Sequence, residues 1–274
     1  MTCTEADFAY LRAVVLEQSA NALDASRDHH FEARLQRLLK ESGFAALDRL
    51  VAALRRQPDS TIKRCIAEAM TVNETSFFRD RAPFDLMRLE LLPALIRRRA
   101  SSRRLRLWSA ACSTGQEAYS LAITLCEHFP QLRDWAVEIL GTDISAEVVE
   151  RAREGWYQRI EVNRGLPVRY LLKYMQRVGD EWQMVPSIRR LCQFRRRNLC
   201  NSLLLAEKYD VILLRNVMLY FSMDTRRQLL LNMHRLLESD GFLILGASEQ
   251  PALPSHFEPV LVHNTCYYKP IAQQ

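Results

Sequence analysis

Long apolar runs are missing from these 274 residues. No stretch of about 18 uninterrupted apolar residues occurs, and a segment such as Val211–Leu214 is far too short to cross a bilayer, so no direct membrane insertion is expected. The opening Met1-Thr2-Cys3-Thr4-Glu5-Ala6-Asp7 has neither a basic nor an apolar leader region, which excludes a secretory signal and predicts a cytoplasmic location. Glycine and proline are scarce, at 8 and 10 residues, too few for a low-complexity or disordered chain. The seven cysteines form no C-x-x-C pair and have no nearby histidine to complete a zinc site. They read as reduced, mostly buried thiols, and no metal is expected. Cys112 has no basic partner within sequence reach, so packing rather than nucleophilic chemistry is its expected role.

What is present describes a soluble globular protein, with 48% hydrophobic and 26% charged residues. The net charge of +6 is unevenly spread. Arg97, Arg98, Arg99, Arg103, Arg104 and Arg106 form one basic cluster, and Arg189, Arg190, Arg195, Arg196 and Arg197 form a second. A third lies in the N-terminal part and includes Arg34, Arg37 and Lys40, whose three-residue spacing puts them along one side of a helix. Such patches attract polyanions or acidic protein surfaces, or are simply solvated helix faces.

Residues 4–72 carry helical periodicity only. Thr4 and Asp7 frame a capping box, followed by Phe8, Leu11 and Val15 at helical spacing. A stripe from Phe31 to Leu39 ends at Gly43, another from Ala46 to Leu54 ends at Pro58, and Asp59-Ser60 offers a cap for a helix through Ile62, Ile66 and Met70. Residues 1–72 are therefore predicted to form a small all-α domain, with 73–103 a polar linker and one long amphipathic helix through Phe84, Leu89 and Leu95.

From residue 104 strands and helices alternate. Strands are predicted at Leu105–Ala110, Val137–Thr142, Cys192–Arg196, Tyr209–Leu214 and Phe242–Leu245, and helices at Glu117–Phe129, Ala146–Gly155 and Asp224–Glu238. This alternation predicts an α/β fold, a mostly parallel doubly wound sheet over residues 104–274. Lys173–Val178 and Glu181–Val185 read as an antiparallel β insertion spanning about 168–192. Pro259–Val262 and Thr265–Tyr268 read as an antiparallel hairpin at the sheet edge.

The strand ends carry the chemistry. Cys112 to Gln116 is a small-residue turn between strand and helix, where a ligand can approach the backbone. G-x-G-x-x-G is not satisfied, so a nucleoside without phosphates fits better than a dinucleotide. Asp143 ends the second strand, 28 positions after Gly115, where an acid can accept hydrogen bonds from ribose hydroxyls. Asn198-Leu199 and Arg215-Asn216 close two further strands, so acid, amide and guanidinium are predicted to converge on one crevice.

Asn73-Glu74-Thr75-Ser76-Phe77-Phe78-Arg79, Trp108 to Ser120, Gly141-Thr142-Asp143-Ile144-Ser145 and Arg215-Asn216-Val217-Met218-Leu219-Tyr220-Phe221 resemble, in order, the chemotaxis receptor glutamate methyltransferase (CheR) family. The resemblance implies a Rossmann-like methyltransferase sheet, a helical N-terminal domain and an inserted β subdomain. Asn73, Thr75, Arg79, Glu117, Asp143, Ile144, Asn198, Leu199, Arg215 and Asn216 would surround S-adenosylmethionine, whose product is S-adenosylhomocysteine. Arg79 and Tyr220 would hold the reacting groups. The implied partners are methyl-accepting chemotaxis receptors, with Arg34, Arg37 and Lys40 docking on their acidic methylation helices, and a monomer without nucleic acid is expected. Two departures stand out. The family's Gly-Glu-Glu-Pro-Tyr-Ser is Gly115-Gln116-Glu117-Ala118-Tyr119-Ser120 here. Members that tether to a receptor's C-terminal pentapeptide carry a longer glycine-rich turn than Gly179-Asp180-Glu181.

Two rival readings are a nucleic-acid methyltransferase and a non-catalytic cofactor sensor. Against the first, Arg215-Asn216-Val217-Met218 stands where an Asn-Pro-Pro-Tyr-type tetrapeptide would follow the fourth strand. Against the second, Asp143 and Arg79 are both retained.

Overall fold

The computed structural model describes residues 4–23, 34–36, 38–39, 44–56, 61–201 and 207–272. The chain divides into two compact units, one of Met1–Val72 with Leu219–Thr225 and the other of Asn73–Met218 with Arg226–Gln274. The expected linker thus falls within the second unit.

In the first unit, helix α1 (Glu5–Ser19) begins at the predicted box. Thr4 Oγ1 accepts from the Asp7 N–H at 3.3 Å, and an Asp7 carboxylate oxygen accepts from the Thr4 N–H at 3.1 Å. With α2 (Leu47–Arg56) and α3 (Thr61–Ala69), α1 buries an apolar cluster that includes Leu11, Val15, Leu35, Leu50, Leu54 and Ile66. Phe31, the Gly43 stop, Pro58 and the Asp59-Ser60 cap lie outside the described residues.

The expected long helix after residue 80 comes as three joined pieces. Ala82–Leu86 and Leu92–Arg98 are α-helical, with a π-helical turn at Met87–Leu91 between them. Pro93 supplies the cause, since it has no N–H to donate and its ring crowds the carbonyl four residues back.

The second unit contains a seven-stranded sheet in the order β6-β2-β1-β7-β8-β10-β9. Its strands are β1 (Arg104–Ala110), β2 (Ala136–Asp143), β6 (Cys192–Arg196), β7 (Tyr209–Leu214), β8 (Leu237–Leu245), β9 (Phe257–Val262) and β10 (Thr265–Pro270). The β6, β2, β1, β7 and β8 neighbours pair in parallel, and the β9–β10 hairpin joins the β8 edge antiparallel. Helices α4 (Gln116–His128), α5 (Ala146–Glu154) and α6 (Met223–Leu236) follow β1, β2 and β7. The strands β1 and β7 are buried almost throughout, as expected when helices cover both faces. Trp108 is fully buried at the centre of β1 and donates its indole N–H to Thr142 Oγ1 at 2.9 Å, so the core holds no stranded donor there.

The β insertion differs from expectation in two ways. Its sheet has three strands in the order β3-β5-β4, and β3 (Trp156–Gln158) lies upstream of the predicted range. Only β4 (Met175–Val178) and β5 (Glu181–Met184) come from the predicted hairpin. Residues Val168–Tyr174 are helical instead, because Tyr170 and Tyr174, four apart, both bury into the core, while Lys173 and Tyr174 bond Glu127 at 2.7 and 2.6 Å. The predicted Asp240-Gly241 turn is part of β8, in a region where its register with β7 shifts.

Candidate active site

The turn between β1 and α4 is strained where it matters. Ala111 and Ser113 adopt left-handed conformations, at φ 66° and 50°, and Gly115 sits at φ 92°. Only the last is free of steric cost, while each of the others costs about 1–2 kcal/mol. Tertiary bonds hold the shape. Asp143 accepts the Ser113 N–H at 2.9 Å on one carboxylate oxygen and the Ser145 N–H at 3.1 Å on the other. Tyr157 of β3 donates its hydroxyl to the Thr114 carbonyl at 2.7 Å, so the inserted sheet braces the turn.

From this turn, hydrogen bonds reach the other predicted segments. Ser113 Oγ donates to the Asn73 carbonyl at 2.8 Å. The N–H of Arg197, beyond β6, donates to the Asp143 carbonyl at 2.7 Å, and Arg196 Nε donates to the Ile144 carbonyl at 3.0 Å. Asn198 follows directly, its side-chain oxygen accepting from the Cys200 N–H at 2.9 Å, and Leu199 beside it is buried. Thus Asn73, Asp143, Ile144, Asn198 and Leu199 lie on segments bonded to one another.

The second half of the site centres on Arg215, whose side chain is 1% exposed. It donates to Glu117 at 2.9 Å, to the Arg79 carbonyl at 2.9 Å and to Asp80 at 2.7 Å. Glu117 also accepts the Ser109 hydroxyl at 2.7 Å. Arg79 itself donates to the Glu74 carbonyl at 3.0 Å, and Thr75 lies on the same segment. Asn216 is left-handed at φ 59°, and its N–H donates to Glu249 at 2.7 Å. The buried Glu249 carboxylate also accepts from the N–H groups of Val217, Met218 and Gly246, which sets the exit of β7.

Sequence reasoning did not single out Ser113, Asp80 or Glu249 as site residues. Glu249 had a readable signal, an acid after a small-residue strand end (Gly246-Ala247-Ser248), the same signal that marked Asp143. Asp80 had none beyond its place next to Arg79. Cys112 behaves as expected of a packing residue. Its thiol is held well above the ordinary cysteine range by burial first, then by the negative charges of Asp143 and Glu117.

Two predicted groups belong to the first unit. Tyr220 is one, and its carbonyl accepts the Ala22 N–H at 2.9 Å. Arg34, expected on an open basic strip, is half-buried and donates to the Met70 and Thr71 carbonyls at 3.1 Å each, satisfying carbonyls at the end of α3. Arg37 and Lys40 lie outside the described residues.

The donor set suits S-adenosylmethionine. Asp143 stands at a strand end to meet a ribose diol, Asn198 with Leu199 offers an amide and an apolar wall for adenine, and Glu117 offers an anion for an ammonium. Arg215 Nε is buried without a hydrogen-bond partner among the described residues, an orphaned donor of the kind a bound carboxylate would satisfy.

A parallel sheet with ligand groups at the carboxyl ends of β1, β2, β6 and β7, ordered for a nucleoside rather than a diphosphate, defines an S-adenosylmethionine-dependent methyltransferase. Residues 73–265 match the family described as CheR methyltransferase, SAM binding domain, and the chain belongs to it. Chemotaxis protein methyltransferase 1 of Pseudomonas aeruginosa is 35% identical, with 95% of this chain and 96% of that protein covered. Chemotaxis protein methyltransferase Cher2 of Pseudomonas putida is 34% identical at the same coverages, and the chemotaxis protein methyltransferase of Vibrio parahaemolyticus is 33% identical over 98% of each chain.

Proposed function

We propose that this enzyme methylates side-chain carboxylates of specific glutamates in the cytoplasmic helices of chemotaxis receptors, forming methyl esters that serve adaptation. The observation that carries the reading is the linked pair of networks, Asp143–Ser113–Asn73 and Glu117–Arg215–Arg79, on a family member similar over nearly its whole length to chemotaxis methyltransferases.

When bound, the cofactor supplies an electrophilic methyl on a sulfonium, whose departure leaves a neutral thioether. Asp143 and Glu117 would hold it so that an acceptor oxygen would take the methyl, the electron pair of the C–S bond going to sulfur. A glutamate, with a reference pKa near ~4.3, is already ionised at neutral pH and needs no general base. The residues therefore act mainly by positioning and desolvation, effects worth up to roughly 7–11 kcal/mol in favourable cases. In this scheme Asp143 holds the ribose, Glu117 the ammonium, and Asn73, Thr75, Ile144, Asn198, Leu199, Arg215 and Asn216 complete the cofactor's surroundings. Arg79 binds a carboxylate through its fork, and Tyr220 packs near the transferred methyl. Arg37 and Lys40 dock on acidic receptor helices.

The test is transfer of labelled methyl groups to receptor-containing membranes, followed by mild alkali. Release of labelled methanol supports a carboxyl ester. Alkali-stable label on nucleic acid would establish the nucleic-acid reading instead, and cofactor binding without transfer would establish a sensor. The fold weighs against the nucleic-acid reading, because five of the six arginines between 97 and 106 have acidic partners. Arg98 and Arg99 pair with Asp240, Arg103 with Asp134, Arg104 and Arg106 with Glu207.

A further inference from the structure

The segment that carries Arg79 is a backbone knuckle in an unusual conformation. Phe78, Asp80 and Arg81 are all left-handed, at φ 49°, 65° and 45°, and none is glycine. Three such residues within four positions persist only where surrounding contacts over-determine the backbone. The Phe78 ring packs on Phe84 and Tyr170 at 5.3 and 5.6 Å, and Arg79 reaches the Glu74 carbonyl at 3.0 Å. The Phe78 N–H donates to Ser120 Oγ at 2.9 Å, and the Arg81 N–H donates to the Phe78 carbonyl at 2.9 Å. A long-range grip comes from Arg215, 135 positions from Asp80, which takes the Arg79 carbonyl and the Asp80 carboxylate on one nitrogen and Glu117 on the other.

We propose that Arg215 and Asp80 are positioning residues that hold the Arg79 knuckle and couple its placement to Glu117. A guanidinium is planar and its terminal nitrogens diverge at a fixed angle, so one buried fork sets the knuckle and the Glu117 carboxylate relative to each other. The ring of Phe84 lies 5.8 Å from the guanidinium carbon and walls the fork in. A lysine, whose three donors share one nitrogen on a flexible stem, does not fix both directions. The inference rests on the proposed role of Glu117 toward the ammonium of the cofactor. A ligand that engages Glu117 thereby acts on the knuckle, and Arg79 is presented to the acceptor in its working position only when the fork is complete.

The experiment uses the full chain as wild type, Asp80→Ala, Asp80→Asn, Arg215→Lys, Arg79→Ala and the double variant Arg79→Ala/Arg215→Lys. Calorimetry with S-adenosylhomocysteine, kcat and KM with receptor membranes, and limited trypsin cleavage after Arg79 and Arg81 are read on each. Asp80→Ala and Arg215→Lys are expected to lower kcat by about 100-fold, the order that a misplacement of about 1 Å costs near reacting atoms. Asp80→Asn, which keeps an acceptor and tolerates the left-handed backbone, should recover about tenfold of that loss. In Asp80→Ala the dissociation constant for S-adenosylhomocysteine should stay within about threefold of wild type, while tryptic cleavage at the knuckle speeds up and is no longer slowed by the ligand. Adding Arg79→Ala to Arg215→Lys should cost less than about threefold more, since residues that act through one another do not multiply. Fully multiplicative losses, or unchanged cleavage at the knuckle in both single variants, would overturn the proposal. Asp80 is partly exposed, so its variants keep the test valid if the buried Arg215→Lys fails to fold. Failure of wild type to bind S-adenosylhomocysteine would instead strike the functional reading, and the cleavage pattern without ligand would still judge the fork.

Discussion

Asp143 does two things with one side chain. Its two oxygens pin Ser113 and Ser145, and in the proposed function the same carboxylate meets the ribose. Asp143→Asn removes one acceptor oxygen and the charge, so the affinity for S-adenosylhomocysteine should fall by about 1.5–3 kcal/mol, roughly 10- to 100-fold in Kd. Calorimetry checks this, with circular dichroism showing that the fold survives. Cys112 presents the opposite case. Buried beside two carboxylates, its thiol stays protonated well beyond neutrality. Native protein at pH 8 should leave Cys112 unmodified by iodoacetamide while the unfolded chain reacts there, and peptide mass mapping distinguishes the two.

Between elements, packing leaves little tolerance near the site. Gly141 of β2 pairs with Phe194 of β6, and a Cβ on Gly141 would lie 2.5 Å from a Phe194 ring carbon and 3.1 Å from Cys112 Sγ. Gly141→Ala must displace the ring, at a cost of about 1–3 kcal/mol in urea unfolding. Farther from the site, Arg99 ties the end of the helix Leu92–Arg98 to β7 and β8, reaching Asp210 at 2.7 Å and Asp240 at 2.5 Å. The hydrogen bond from Arg99 is the largest cause holding the Asp240 carboxyl below its ordinary value. A carboxyl whose folded pKa is depressed stabilises the fold above its unfolded pKa of about 4, and that contribution is lost as pH falls through the folded value. Wild type should therefore melt higher than Asp240→Asn at pH 7, with the gap closing toward pH 3. A gap that persists unchanged at low pH would show that the pair contributes nothing through charge.

For the whole molecule, the expected readout is electrostatic docking. Reversing Arg37 and Lys40 to glutamate should raise KM for receptor severalfold, more at low salt than high, and leave S-adenosylhomocysteine affinity unchanged. An unaltered KM would return the strip to solvent.

Much of this protein was legible in its residues alone. The alternation of apolar runs and turns set the boundaries of β1, β2 and β7 to within a residue or so, because a buried parallel strand must be largely apolar. Thr4 and Asp7 declared a helix start, since the capping bonds are local. An acid, an amide and a guanidinium at strand ends drew attention to Asp143, Asn198 and Arg215, as the C-terminal edge of such a sheet is where side chains meet ligands. What depended on distance in the chain was not legible. The third strand of the insertion and the shortened hairpin answer to packing partners rather than to local pattern. The Arg215 fork joins residues 98 to 136 positions apart, and Arg34 finds carbonyls that its three-residue spacing could not reveal. Local sequence determined which elements form and which side chains reach the sheet edge. Only the tertiary structure decided how those side chains are spent, because a buried donor takes whatever acceptor the fold brings within about 3 Å.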